Sequence, residues 1–285
     1  MQQFEENFSI LIKCFLAYWS STSALAGFWL AFVSWEDMGI TGRVNRILIL
    51  LGIGLAAFVA AGITILCRNK KKIFGDINKG VELCYGDVIK LGFPKKPTRR
   101  IIVIPVNRCF DLSCERNLIS SKSIHGQWIN KYIRNSNEQL QLGQQIQAIL
   151  AERNIPYDEL RNEDKCAGNL KRYPAGTIVE LAGNDGITFY LLALSEFDAD
   201  LRAHCSETAF YETLQGLLEY YDVHGMGEEM YCPIMGDHIV RPTKETRDII
   251  SLMLSVFRFN RERIHGRIHL VVYDKMKSDI PILDY

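Results

Sequence analysis

The sequence predicts an α/β protein in two parts, a helical hairpin that spans a membrane and a sheet with helices on its faces. Three observations carry this reading. Two uncharged runs, Cys14–Trp35 and Ile47–Cys67, of 22 and 21 residues, stand near the start of the 285-residue chain. Ile101–Val106 reads IIVIPV, branched and apolar without polar alternation, as a strand buried on both faces does. Strand-like and helix-like stretches then alternate to the end, the pattern of a layered sheet.

Each uncharged run makes a helix of roughly 30 Å, the thickness of a bilayer core. Trp19, Trp29 and Trp35 suit anchoring at the interface. A cleaved signal peptide fits poorly: Glu5 and Glu6 stand where a basic region belongs, and the apolar run continues past Ala24-Leu25-Ala26. The loop between the runs holds Arg43 and Arg46, whereas Arg68, Lys70, Lys71 and Lys72 follow the second. The heavier cluster puts the downstream end, and with two spans the N-terminus as well, in the cytoplasm. Small residues four apart, Ser23, Gly27 and Ala31 in one run and Gly52, Ala56 and Ala60 in the other, predict close packing within the hairpin. The expected division is a hairpin over 1–67 (spans about 14–35 and 47–67), a basic linker over 68–80, and a cytosolic domain over 81–285.

Formal net charge is zero, so nothing in it argues for a nucleic-acid partner. The eight cysteines are scattered without a CxxC pair, which suits reduced thiols better than a disulfide framework. No metal site is expected: His265 and His269 straddle Gly266, with no Cys or carboxylate in ligand spacing. There is no Walker loop, and Gly225-Met226-Gly227 reads as a turn.

In the soluble part Val81–Tyr85 reads as a short strand and Gly86-Asp87 as its turn. Ile101–Val106 is the central strand. Pro105 suggests that its pairing ends there, and Asn107 and Asp111 follow at its C-terminal mouth, where open α/β sheets bind ligands. His125 and Gly126 open a helix containing Trp128, Ile129, Tyr132 and Ile133, and Asn137–Arg153 predicts another. Residues 159–170 read as loop. Thr177–Leu181 and Ile187–Leu194 around a Gly/Asn/Asp turn make a hairpin. Helices are expected over Ala203–Tyr221 and, N-capped by Thr243, up to Phe257. Met230–Met235 and His269–Tyr273 complete about six strands.

With these motifs in this order, the chain resembles a macro domain, the fold that binds ADP-ribose. VELCYGDV, IIVIPVN and the strand running into CPIMGDHIVR stand where that family places its own motifs, over roughly residues 80–275. Two transmembrane helices ahead of a macro-domain-like α/β/α sandwich, together with PVNRCFD, SIHGQW and YPAGT, resemble the effectors of type II Thoeris anti-phage defence. The resemblance implies a bacterial inner-membrane protein with both termini cytoplasmic. Its macro domain would bind a signal, a histidine conjugate of ADP-ribose made by a partner TIR-domain protein. Homo-oligomers of the effector would then rearrange and disrupt the membrane. It implies a binding effector with no catalytic residues and no cofactor.

Carried over by position, Asp87 accepts a hydrogen bond from the adenine amino group, or is an ordinary turn residue. Asn107 bonds a ribose hydroxyl or caps a turn. Asp111 binds or braces the loop. His125 and Gly126 stand where macro domains close over the distal ribose. Gly236, Asp237 and His238 lie in the phosphate loop, whose amides form an anion nest, and Arg241 pairs with phosphate or with another side chain. The family's hydrolases carry a glycine-rich stretch after the Asn, whereas RCFDLSCERNL has no glycine. A membrane-tethered hydrolase of ADP-ribose conjugates and a channel or scaffold that binds no nucleotide stand as the alternatives.

Overall fold

A computed structural model describes residues 2–30, 35, 42–66, 69–76, 78–115, 118–236 and 245–285. The chain divides into two compact units, 1–69 with 283–285 and 70–282.

The first unit holds α1 (Gln2–Leu30) and α2 (Arg43–Leu66). Among the described residues one helix, over Arg43–Ile63, is long and apolar enough to cross a membrane, with mean hydropathy 2.3. The expectation of two such spans is therefore met by one. Its surface is open: Leu48, Leu51 and Leu55 are exposed, while Ala57 and Ala61 are buried. The packing face of α2 is thus Gly54, Ala57 and Ala61 rather than the expected Gly52, Ala56 and Ala60. The reason is Trp19, whose ring would lie 3.1 Å from a Cβ at Gly54, so a glycine there lets it approach without displacement. Phe15 meets Phe58 edge-on at 6.0 Å beside it.

The second unit runs β1 (Lys70–Gly75), β2 (Gly80–Gly86), α3 (Val88–Gly92), β3 (Arg100–Asn107), α4 (Ile124–Tyr132), α5 (Ser136–Glu152), β4 (Asp158–Glu159), β5 (Lys171–Arg172), β6 (Ile178–Ala182), β7 (Ile187–Phe197), β8 (Ala203–His204), α6 (Glu207–His224), β9 (Met230–Pro233), α7 (Thr246–Phe259) and β10 (Arg267–Tyr273). The sheet order is β1-β2-β10-β9-β3-β7-β6, with β8 pairing β7. The five central strands are mutually parallel. Their C-terminal ends therefore share one edge, where ligands bind in such sheets.

Alternation along the strands divides the core. Ile102, Ile104, Val106 and Leu191 pack with α3, α4 and α5 around the fully buried Trp128. Ile101, Val103, Tyr190 and Leu192 are buried on the opposite side, where α6 packs on β6, β7 and α7. The result is a mixed α/β sandwich of three layers.

Several elements differ from expectation for physical reasons. The basic stretch 68–80 is no plain linker, because Lys70–Gly75 pairs antiparallel with β2 as an edge strand; lysines are compatible with edges, where they face water. Pairing of β3 does not stop at Pro105, which aligns with Leu192 of β7. Ile101 N donates to Glu229 O, so by alternation the Pro105 nitrogen faces the β9 side, where pairing ended at Ile102 and no acceptor waits. Residues 158–159 and 171–172 form a two-stranded ribbon around the expected loop. Helix α6 begins after its cap Ser206 rather than at Ala203, and Glu245 stands at the N-cap position of α7 without a side-chain capping bond; the expected cap Thr243 lies outside the described residues.

A polar row crosses one sheet face. Glu82, His269 and Tyr231 stand in register on β2, β10 and β9. His269 Nδ1 lies 2.6 Å from Glu82 Oε1, and Lys70 Nζ meets the same oxygen at 3.0 Å. The Tyr231 ring stacks on His269 at 4.1 Å, and the Arg100 guanidinium sits 5.1 Å from the Tyr231 ring centroid. Burial opposes ionisation of Glu82, but His269 and Lys70 outweigh it and hold the carboxyl down at about 2. The folded value lies below the ordinary 4.5, so the stabilisation is complete above pH 4.5 and fades as pH falls towards 2. Glu82→Gln is expected to cost about 1 kcal/mol at pH 7, the shift being discounted for solvent screening. Denaturant titrations of the two proteins should converge as pH drops through that window.

Candidate functional site

Two neighbouring cavities open at the C-terminal edge of the parallel strands. The larger, about 380 Å³, lies over the ends of β3, β7 and β9 and is lined by Asn107, His125, Ser195, Phe197, Met235 and Gly236 among others. The smaller, about 190 Å³, lies over the ends of β2 and β10 and is lined by Asp87, Ile89, Gln127, Val272 and Tyr273 among others. Ile124 and Ile234 are walls of both. Asn107 and Gly236 thus share one hollow and Asp87 stands in the next, across those two side chains. The larger volume is within the range of small-molecule sites.

Asp87 ends β2 and caps α3. Its Oδ1 accepts from Ile89 N at 3.0 Å and Lys90 N at 3.3 Å, which fixes the carboxylate at the cavity rim. Of the two expected roles, the structure shows the turn role, as a helix cap. Gly236 follows β9 with φ +91°, a conformation that glycine alone adopts without strain. Asp237, His238 and Arg241 lie outside the described residues.

Asn107 is 3% exposed. Its Oδ1 accepts from Cys109 N at 3.0 Å and Asp111 N at 3.4 Å. Those two amides settle which end of the side chain is oxygen and turn Nδ2 into the only part left to bond. Nδ2 is buried without a partner.

Asp111 is placed otherwise than a cleft-lip ligand. Phe110 adopts φ +51°, and the chain turns away from the larger cavity. The Asp111 carboxylate instead meets Lys165 Nζ at 2.6 Å and accepts from Asn169 N at 2.6 Å. Lys165 is wholly buried and also donates to Asn169 O at 2.7 Å. Asn169 Nδ2 returns to Cys109 O at 3.0 Å. Burial pushes the Asp111 carboxyl up, against the pull of Lys165 and Asn169. This knot ties residues 165–169 to the turn that follows β3.

His125 stands in the first turn of α4, which is capped by Ser123 Oγ accepting from Gly126 N at 3.1 Å. Burial drives its imidazole down to about 3, against a hydrogen bond to the backbone of Asp111 that favours protonation. The ring is neutral at physiological pH, and its Nε2 is buried without a partner. Gly126 does not line the larger cavity; a Cβ there would strike the Ser120 carbonyl, so it serves close packing of the preceding turn. Ser195 was not anticipated, although it follows the apolar run of β7 as Asn107 follows that of β3 and aligns with it across a bulge. Among the described residues no cluster of His, Cys, Asp and Glu is arranged to hold a metal ion.

The family model described as "Thoeris protein ThsA, Macro domain" matches residues 81–273. A curated relative, Thoeris protein ThsA of Bacillus amyloliquefaciens (strain Y2), is 21% identical over 248 residues, which are 85% of this chain and 78% of that protein. A solved Oceanobacillus iheyensis macrodomain with MES bound is 13% identical, with TM-score 0.44 over 72% of this chain and 89% of that one. A mutant of that macrodomain is 14% identical, with TM-score 0.45 over 76% and 94%.

Removing one partner of a buried pair strands the other charge. Lys165→Met is expected to destabilise the soluble unit by about 3–5 kcal/mol, read as a lowered denaturant midpoint. Lys165→Met combined with Asp111→Leu should recover most of that loss. A double variant as weak as the single one would show that the carboxylate was not the cause.

Proposed function

Because the chain belongs to the Thoeris ThsA macro-domain family, whose model spans residues 81–273, we propose that its two adjoining cavities bind one ADP-ribose-derived signal in anti-phage defence. The observation that carries this is the shared wall of Ile124 and Ile234. It lets a single elongated ligand lie across the C-terminal ends of five parallel strands, its adenine beside Asp87 and its distal ribose beside Asn107. Gly236 stands between the two ends, where the diphosphate passes. The signal is a histidine conjugate of ADP-ribose supplied by a partner TIR-domain protein.

The protein reads this ligand and does not cleave it. Among the described residues the larger cavity is lined by no carboxylate, lysine or arginine, and the one imidazole there is held neutral at about 3. A general base for hydrolysis works best with a pKa near the operating pH, and none of these groups has one.

The first unit is the membrane part. The open apolar surface of α2 over Arg43–Ile63 is what a span presents to lipid, and α1 pairs with it through the Trp19–Gly54 contact as a two-helix hairpin with both termini cytoplasmic. Bound signal changes how copies of the hairpin pack together, and the membrane is disrupted. The ligand achieves this only by binding one assembly state better than the other.

Calorimetry on the full chain in detergent tests the reading, with ADP-ribose and its histidine conjugate as titrants. Asp87→Ser retains a capping oxygen for α3 but lacks the reach of a carboxylate, and is expected to weaken binding about tenfold, near 1.4 kcal/mol. Unchanged affinity would remove Asp87 from the site. Recovery of intact ligand after prolonged incubation is expected; release of free ADP-ribose from the conjugate would make the protein a hydrolase.

A further inference from the structure

The chain passes between its two units twice, at 69–70 and at 282–283. Both passages are fastened to neighbouring residues at the end of β2. Lys70, the first residue of β1, pairs with Cys84. The hydroxyl of Tyr85, the next residue, donates to Ile280 O at 2.8 Å and accepts from Ile282 N at 2.8 Å. A phenol has one proton to give and lone pairs to receive with, so a single side chain closes both bonds. Two residues further on, Asp87 lines the smaller cavity.

The segment that leaves β10 runs from that same cavity to the second passage. Tyr273 and Met276 line the cavity. Met276 O accepts from Ile280 N at 2.8 Å, and Ile280 O is what the Tyr85 hydroxyl bonds. Ile280 and Ile282 are buried, whereas residues 277–279 are exposed. Arg247, in the first turn of α7, donates to Asp279 O at 3.0 Å. A segment held by two apolar anchors and a few side-chain bonds opens at lower cost than the sheet it follows.

Resting on the nucleotide reading above, we propose that residues 274–282 are a latch that reports occupancy of the smaller cavity to the first unit, with the Tyr85 hydroxyl as its catch. A ligand seated against Tyr273 and Met276 holds the latch closed and fixes the chain at the 282–283 passage. An empty cavity leaves the latch to open and close. Occupancy thus favours one arrangement over the other, the differential binding that any such signal needs. The coupling is reciprocal: whatever loosens the latch weakens the ligand by the same factor.

The test is hydrogen exchange on the full chain in detergent, with and without ADP-ribose or its histidine conjugate. Bound ligand is expected to slow exchange of the Ile280 and Ile282 amides about tenfold more than that of the β6 amides at the far edge of the sheet. Slowing that is uniform across the sheet, or none, overturns the latch, since a bound ligand stabilises any fold evenly by mass action. Tyr85→Phe keeps the ring and removes both hydroxyl bonds. Tyr85 does not line the cavity, yet the variant is expected to bind about fivefold more weakly by calorimetry. Its Ile280 amide, whose own acceptor Met276 O is untouched, should lose the ligand-induced slowing. At saturating ligand it should also fail to release dye from vesicles of phosphatidylethanolamine and phosphatidylglycerol that wild type makes leak. A variant with a lowered melting temperature but wild-type affinity, slowing and dye release gives Tyr85 a structural role only and overturns the latch. Where Tyr85→Phe does not fold, the wild-type exchange decides alone. Failure of wild type to bind either ligand overturns the nucleotide reading and this inference together, an outcome distinct from binding without localised slowing.

Discussion

A lysine ammonium with no exposed surface is tolerated in a protein only when a carboxylate and further acceptors surround it. Lys165 is such a group, and Asp111 and the Asn169 carbonyl are what it has found. The constraint reaches well beyond the pair. Satisfying Lys165 draws Asp111 out of the cleft, through the left-handed Phe110, and leaves its backbone to hold Asn107 on one side and His125 on the other. Asn107 and His125, two of the polar residues that line the larger cavity, are thus tied to a charge buried beside them.

The same edge of the sheet explains why the site is long and divided. Five parallel strands end together, and each contributes something different at or near its C-terminus: Asp87 after β2, Tyr273 on β10, Gly236 after β9, Asn107 on β3 and Ser195 two residues before the end of β7. Ile124 from α4 and Ile234 from the end of β9 rise between them and part the groove into two volumes. Apolar partitions with polar groups at each end suit a ligand with a flat base at one end and a sugar at the other.

Much of this was legible in the sequence, and what was not has identifiable causes. The buried central strand announced itself through five branched apolar residues around Pro105, and its terminal Asn107 followed directly. The helix around Trp128 and the β6–β7 hairpin were marked by spacing and by turn residues. The edge strand Lys70–Gly75 was hidden because three lysines mask a strand whose partner supplies the pairing. Lys165 carried no local signal at all, since its reason for burial lies 54 residues earlier. For Asp111 the expected brace is what the structure shows, but its place away from the cleft lip was hidden, since proximity to Asn107 in sequence says nothing of a reversal at Phe110. The packing stripe of α2 was off by a step because small residues line much of that helix, and only the position of Trp19 chooses among them.

The central claim is that one nucleotide lies across both cavities. A structure of the chain bound to ADP-ribose tests it most directly. The account predicts the adenine ring against Asp87, the distal ribose between Asn107 and His125, and the chain of phosphates passing Gly236. A nucleotide confined to one cavity, reversed end for end, or seated elsewhere on the molecule would contradict it.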